Sequence, residues 1–321
     1  MFFVLLVHSL GVIGVPSLIV FENSIFQAIG TSVLYFVSIG SVNLFVLLSG
    51  WFGLNFTLKK MASLFFQIIF WNIISVIVYL FFGGKIIDIL WLDVFALSGS
   101  LWFFISYLCL LIFSPVLNCF IENSSRSLIL NVIVFFFLFQ TIWGWIIEGA
   151  SFFMHGYSPL SFIGLYLLAR FVRNYPVKYF TYKHCYDIMM YAFLGVITVA
   201  VVMVFANYGI YASRMFSYIS PIIILSCLYL LLFFSKIKLN VCKKTIKYLA
   251  TSSFAVYIFH CNILIHPFYV KIINGLYKNE LWILILVFMV VLFFTVVVVD
   301  KIRLYLWNLL ILRVQKGYKL N

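Results

Sequence analysis

The chain has 321 residues, 66% of them hydrophobic and only 9% charged, and carries a formal charge of +13. So little polar material cannot cover the surface of a soluble globule of this length, and the excess charge lies in loops, which argues against nucleic-acid binding. Six scattered cysteines without a C-x-x-C pair exclude a disulfide frame or a structural zinc site.

Ten stretches lack Asp, Glu, Lys and Arg for about 19 residues or more: Met1–Phe21, Asn23–Leu58, Met61–Gly84, Val94–Ile121, Ser127–Ile147, Gly149–Ala169, Ile188–Ser213, Met215–Ser235, Tyr248–Val270 and Leu281–Val299. Crossing a ~30 Å hydrocarbon core takes roughly 20 apolar residues in a helix. Backbone amides in lipid must pair within their own segment, so these runs read as helices. The expected fold is all-α, a polytopic membrane bundle of about ten transmembrane helices, forming one membrane domain over 1–321. The connections leave no room for a separate soluble domain, and the first run lacks the basic start and small-residue site of a cleavable signal.

In chain order, the second run is too long for one helix. It reads as a turn-rich entry at Gln27–Gly30 followed by a span over Thr31–Gly53, ending at the basic pair Lys59-Lys60. The fourth span opens at Leu101-Trp102 and is expected to kink at Pro115, with Trp91 and Trp102 in an outer aromatic belt. The sixth, Ser158–Tyr175, ends with Arg170 and Arg173. The ninth, Tyr248–His266, closes at Pro267. The tail after Val299 is basic with apolar positions and reads as a separate interfacial helix over 300–321.

With the start placed in the cytoplasm, 17 of the 21 basic residues fall on the inner side, and only Lys85, Arg214, Lys271 and Lys278 fall outside. This positive-inside bias puts both termini in the cytoplasm.

Ionisable groups at membrane depth are costly and mark function. Two histidines qualify, His8 in the first span and His260 in the ninth. Each reads either as a structural hydrogen-bonding residue or as a base that takes a proton from a hydroxyl. His155, His184 and His266 read as solvated. All eight acidic residues lie at span ends or in loops, so neither a glycosidase carboxylate pair nor a buried proton relay is expected. No G-x-S-x-G surrounds Ser49.

Four segments in order resemble the integral-membrane acyltransferase 3 family, in particular its branch that O-acetylates surface polysaccharides. They are the first-span His8; SVNLFVLLSGWFGLNFTLKK; SLWFFISYLCLLIFSPVLN; and GYSPLSFIGLYLLARFVRNY with SSFAVYIFHCNILI. The resemblance implies transfer of an acetyl group from acetyl-CoA, without a metal, to a sugar hydroxyl of a cell-surface glycan or its lipid-linked precursor. It places the chain in a bacterial cytoplasmic membrane, with membrane lipids around it and no nucleic-acid partner. His8 matches the family's essential histidine and is the expected general base; His260 matches the recurrent histidine of the penultimate span. Lys59 and Lys60 match basic residues implicated in handling the acyl donor. Asn43 and Ser49, with Gly50, match the signature of span two; Trp102, with Pro115 and Asn118, matches span four, where packing or kinking accounts for such residues more readily than chemistry. Asn43, Ser49 and Trp102 are the candidates for contacting the acceptor. The competing expectations are a polysaccharide exporter, which would need a continuous polar path, and a glycan polymerase, which would need large arginine-bearing outer loops. The family usually has an arginine about a dozen residues before its first histidine, and only seven residues precede His8. With Pro16 limiting the first span, the expectation is that the native protein begins earlier or is a shortened, weakly active copy.

Overall fold

The computed structural model describes residues 1–15, 24–95, 101–176, 183–205, 210–238 and 241–317. Pro16, Glu22, Lys178 and Lys319, on which parts of the span and charge readings rest, lie outside them. Among the described residues every regular element is helical, and six helical segments are long and apolar enough to cross a membrane: Ile25–Phe52, Leu58–Phe81, Trp102–Asn123, Arg126–Ile146, His184–Val204 and Trp282–Leu312. Phe2–Val12 and Pro221–Lys236 are shorter apolar helices. The chain is a multi-pass membrane protein of all-α class.

The helices fall into two compact units, each drawn from non-consecutive segments: Met1–Leu5, Thr57–Leu101 and Leu239–Asn321 form the first, Leu6–Phe56 and Trp102–Lys238 the second. The second contains most of α1 (Phe2–Val12), then α2 (Ile25–Ile39), α3 (Ser41–Phe52), α6 (Trp102–Asn123), α7 (Arg126–Phe139), α8 (Pro159–Asn174), α9 (His184–Val204), α10 (Ile210–Met215) and α11 (Pro221–Lys236). In it α3 packs against α8 and α11, α11 against α9, and α6 and α7 against α8. At one end of the α9–α11 pair, Lys236 reaches the buried carboxylate of Asp187 at 2.5 Å.

The Gln27–Gly30 segment is not a turn: it lies inside α2, and the break falls at Gly40 instead. A glycine inside a helix costs only about 1 kcal/mol, which packing easily outweighs. At Gly40 the Sγ of Cys227 would stand 2.6 Å from any added Cβ, so close packing requires the glycine there. α6 runs through Pro115 as one helix, and α8 starts where expected, with Ser158 Oγ accepting the amide of Ser161 at its N-cap. Past α7 the chain winds into a π-helical turn over Gln140–Ile146.

The first unit holds α4 (Leu58–Phe81), α5 (Trp91–Val94), α12 (Lys243–Ala250), α13 (Ser253–His260), α14 (His266–Lys278) and α15 (Trp282–Gly317). The ninth run, expected as one span, is three helices. Asn262 causes one break: its Oδ1 accepts the amide of Leu264 while its Nδ2 donates to Asn72 Oδ1 on α4. That local bond competes with helix continuation. The tail is not a separate helix, since α15 continues unbroken from Trp282 to Gly317. Lys301 on it donates to the Tyr248 carbonyl and to Ser252 Oγ, placing a cation at the C-terminal end of α12, where the helix dipole favours one. All six cysteines are free thiols.

Candidate functional site

The candidate residues divide between the units. His8, Asn43, Ser49 and Trp102 belong to the second, and Lys59, Lys60 and His260 to the first.

In the second unit the span-two signature is held by backbone contact and hydrogen bonds. A Cβ at Gly50 would stand 2.6 Å from the Tyr166 carbonyl oxygen, so α3 and α8 meet at backbone distance. Just past α3, Gly53 adopts φ +80, the left-handed region, with Arg170 beside it. The Tyr166 hydroxyl accepts from the Leu54 amide at 3.1 Å and donates to Asn118 Oδ1 at 2.6 Å, while Asn118 Nδ2 donates to the Leu54 carbonyl at 2.7 Å. Arg173 donates to the Trp51 carbonyl and lies over its ring. These contacts explain the Ser-Gly-Trp-Phe-Gly-Leu-Asn stretch as a latch, a role for Asn118, Tyr166, Arg170 and Arg173 that apolar spacing could not reveal. Ser49 Oγ donates to the Phe45 carbonyl at 3.0 Å and lies 3.4 Å from the Tyr107 hydroxyl.

Asn43 and Trp102 converge on Tyr218. Asn43 is 1% exposed and donates its amide to the Tyr218 carbonyl at 2.8 Å. Trp102 is half-buried among other aromatic rings. Its ring lies 4.5 Å from that of Tyr157 and 6.1 Å from that of Tyr218, because the start of α6 faces the turns that precede α8 and α11. Beside this aromatic cluster is a cavity of about 290 Å³, lined among others by Tyr35, Glu148, His155, Arg214 and Ser217. Arg214 Nη2 bonds Glu148 Oε2 at 2.8 Å. Burial holds the Tyr157 phenol above its ordinary pKa. Sequence reasoning missed this cavity, since its charges sit in connections and pair across 66 residues.

In the first unit His260 is fully buried. Its Nδ1 meets the Val256 carbonyl at 2.5 Å and its Nε2 lies 3.4 Å from Cys261 Sγ. The tautomer protonated on Nδ1 satisfies the carbonyl and leaves Nε2 with a lone pair. The Tyr269 ring lies tilted 5.6 Å away, and its hydroxyl donates to the carbonyl of Leu5. An apolar cavity of about 210 Å³, lined by His260, Phe259, Phe268, Tyr269, Phe288 and others, adjoins the imidazole.

Lys59 and Lys60 are exposed in the first turn of α4, where Thr57 Oγ1 accepts the Lys60 amide. Cations at a helix N-terminus add to the positive end of its dipole, so together they make an anion-attracting end. His8 is half-buried on α1, beside the buried Ser9.

Two acidic residues are buried, Asp187 beside Lys236 and Asp300. Asp300 lies about 27 Å along α15 from Trp282, near the end of a span as expected, but it is fully buried. Arg303 grips it through two bonds of 2.8 Å, and Trp71 Nε1 donates to it at 2.9 Å.

A family profile described as an acyltransferase domain, of the acyltransferase 3 type, matches residues 1–300. No curated protein and no solved structure matches the chain significantly.

Proposed function

The chain belongs to the acyltransferase 3 family, and from that membership, which makes it a membrane acyltransferase, we propose that it is an O-acetyltransferase moving an acetyl group from acetyl-CoA to a sugar hydroxyl. The acceptor is a cell-surface glycan or its lipid-linked precursor, and the setting is a bacterial cytoplasmic membrane with both termini inside. The observation that carries the reading is the match over residues 1–300. The roles follow from the resemblance to the family's motifs, with which the residue types agree. His8, an imidazole within an apolar helix, takes the proton of the sugar hydroxyl as its oxygen attacks the thioester carbonyl. The carbon–sulfur bond breaks, the thiol of coenzyme A leaves with a proton, and the ester remains on the sugar. A positioned base of this kind contributes ~10²–10⁴-fold in rate. The thioester is already activated, so the reaction calls on no Lewis acid. Lys59 and Lys60, at the positive end of α4, attract the phosphates of the donor as point charges.

Membranes containing the full chain, supplied with radiolabelled acetyl-CoA, test the reading. Label is expected in glycan, and is expected to disappear in His8→Ala at unchanged protein abundance. Full labelling by His8→Ala removes the base assignment. Absence of label in the unaltered chain, with glycan still appearing outside, selects the exporter instead.

A further inference from the structure

We propose that the cavity beside Glu148 and Arg214 is a binding site for a neutral sugar residue, presented by the acceptor glycan. What the bound sugar is used for rests on the acetyltransferase reading; that a sugar binds there rests on the cavity itself.

Its chemistry is mixed in the way a pyranose requires. Two edge-to-face pairs of rings line it, Tyr35 with Phe216 at 5.0 Å and Tyr157 with Tyr218 at 5.1 Å, supplying aromatic surface for the C–H side of a sugar ring. Between them stand a carboxylate that only accepts and a guanidinium that only donates. A vicinal diol, which does both, satisfies the two together. Because Glu148 and Arg214 already neutralise one another at 2.8 Å, an anionic sugar would gain from the arginine and lose to the carboxylate. The neutral ligand is favoured. At about 290 Å³ the cavity lies just under the ~300–1,000 Å³ of ordinary ligand pockets, and suits one ring rather than an extended chain.

The walls are fixed in advance. Trp145 Nε1 donates to the Arg214 carbonyl at 2.8 Å, Arg214 Nη1 donates to the Ile146 carbonyl at 3.0 Å, and Ser217 Oγ donates to the His155 carbonyl at 3.1 Å. Asn43 holds Tyr218 from below. Glu148, Met154 and His155 all adopt positive φ, at 56, 45 and 54. Such backbone is uncommon for non-glycine residues and is held there by the surrounding bonds. Gly156, at φ +100, lets the backbone pass Tyr218 Cβ, which would stand 2.5 Å from any added Cβ.

Position within the unit fits the same ligand. Most of the cavity residues lie just before α8 and α11, whereas Arg170, Arg173 and Lys236 lie in the second halves of those helices, roughly 17–22 Å further along. The basic ends are those that the charge distribution places inside, which puts the cavity residues toward the side where a glycan is displayed.

Saturation-transfer NMR on the full chain in lipid nanodiscs tests this, with methyl glucoside, methyl N-acetylglucosaminide and methyl glucuronide as probes. Saturation of at least one neutral glycoside is expected, with the glucuronide weaker. Glu148→Gln and Tyr157→Ala are each expected to reduce binding ~10-fold, the loss of one charge-assisted bond or one ring face. Thermal melts of both variants, with the unfolding midpoint unchanged, keep a folding failure from passing as support. Saturation by the glucuronide above the neutral probes overturns the neutral class. Failure of every probe to bind a chain that still transfers labelled acetyl overturns the site and leaves the enzyme reading standing. Sugar binding in a chain that transfers no acetyl keeps the site and removes the enzyme reading.

Discussion

Tyr166 and Asn118 share a 2.6 Å hydrogen bond between α8 and α6, and both spend their remaining capacity on Leu54, the residue that follows Gly53. One hydroxyl and one amide therefore lock the exit of α3. Removing either leaves the Leu54 backbone without a partner at a part-buried position, a cost of ~1–3 kcal/mol. Tyr166→Phe and Asn118→Ala are each expected to lower the unfolding midpoint in detergent, and the double variant to lower it by less than the sum. Additive losses would show that the two act independently.

The buried Asp300–Arg303 pair allows a sharper stability test. Neutralising one partner strands the other charge, at ~3–5 kcal/mol, whereas replacing both with apolar residues of similar volume is often neutral. Asp300→Asn and Arg303→Met should each cut the folded yield severely. Asp300→Leu with Arg303→Met should recover much of it, less the bond that Trp71 loses. A double variant as unstable as the single ones would point to a role beyond pairing.

For the donor, Lys59 and Lys60 changed together to Gln are expected to raise the apparent KM for acetyl-CoA with little effect on acceptor use. The difference from the unaltered chain should shrink as salt rises, because exposed charges are screened within ~8–10 Å at physiological salt. An unchanged KM at low salt would leave the pair as topology signals alone.

His260 is held on one nitrogen by its own helix. His260→Gln is expected to lower acetyl transfer partially, by ~10-fold or less, against the ~10²–10⁴-fold of a positioned base at His8. Rates measured at matched protein abundance separate the two. A loss at His260 as deep as that at His8 would make it a second essential group.

Topology has a direct check in the first unit. Cysteines placed at Lys244 and at Lys278, in a background without the six native ones, should react with impermeant reagent from opposite sides of the membrane. Reaction of both from one side removes the inside–outside assignment drawn from 17 of 21 basic residues.

Freedom from charge made most of the long helices legible: Leu58–Phe81, Trp102–Asn123, Arg126–Ile146, His184–Val204 and Trp282–Leu312 all fall largely within or across the runs found in the sequence. It could not reveal the breaks in the ninth run, where polar side chains bond the backbone, as at Thr251, Ser253 and Asn262, within a segment still uncharged. Burial of Asp300 was equally hidden. A carboxylate near the end of a span reads as interfacial until Trp71, 229 residues away, is seen to donate to it. The same distance problem concealed Glu148 and Arg214. As single charges in short connections they are ordinary; as a pair beside Trp102 and Tyr157 they outline a cavity. His155, taken as solvated, is indeed exposed, yet it lines that cavity.

The contact at Gly50 has a mechanical consequence. With the Tyr166 carbonyl 2.6 Å from where a Cβ would stand, α3 and α8 have no cushion of side chains over which to slide. Packed interfaces of this kind shift between discrete arrangements rather than deform gradually, and the Leu54 and Trp51 bonds would have to break first. Sliding of α3 along α8 would therefore have to break these bonds and pass backbone against backbone, so this seam is a stiff element of the second unit.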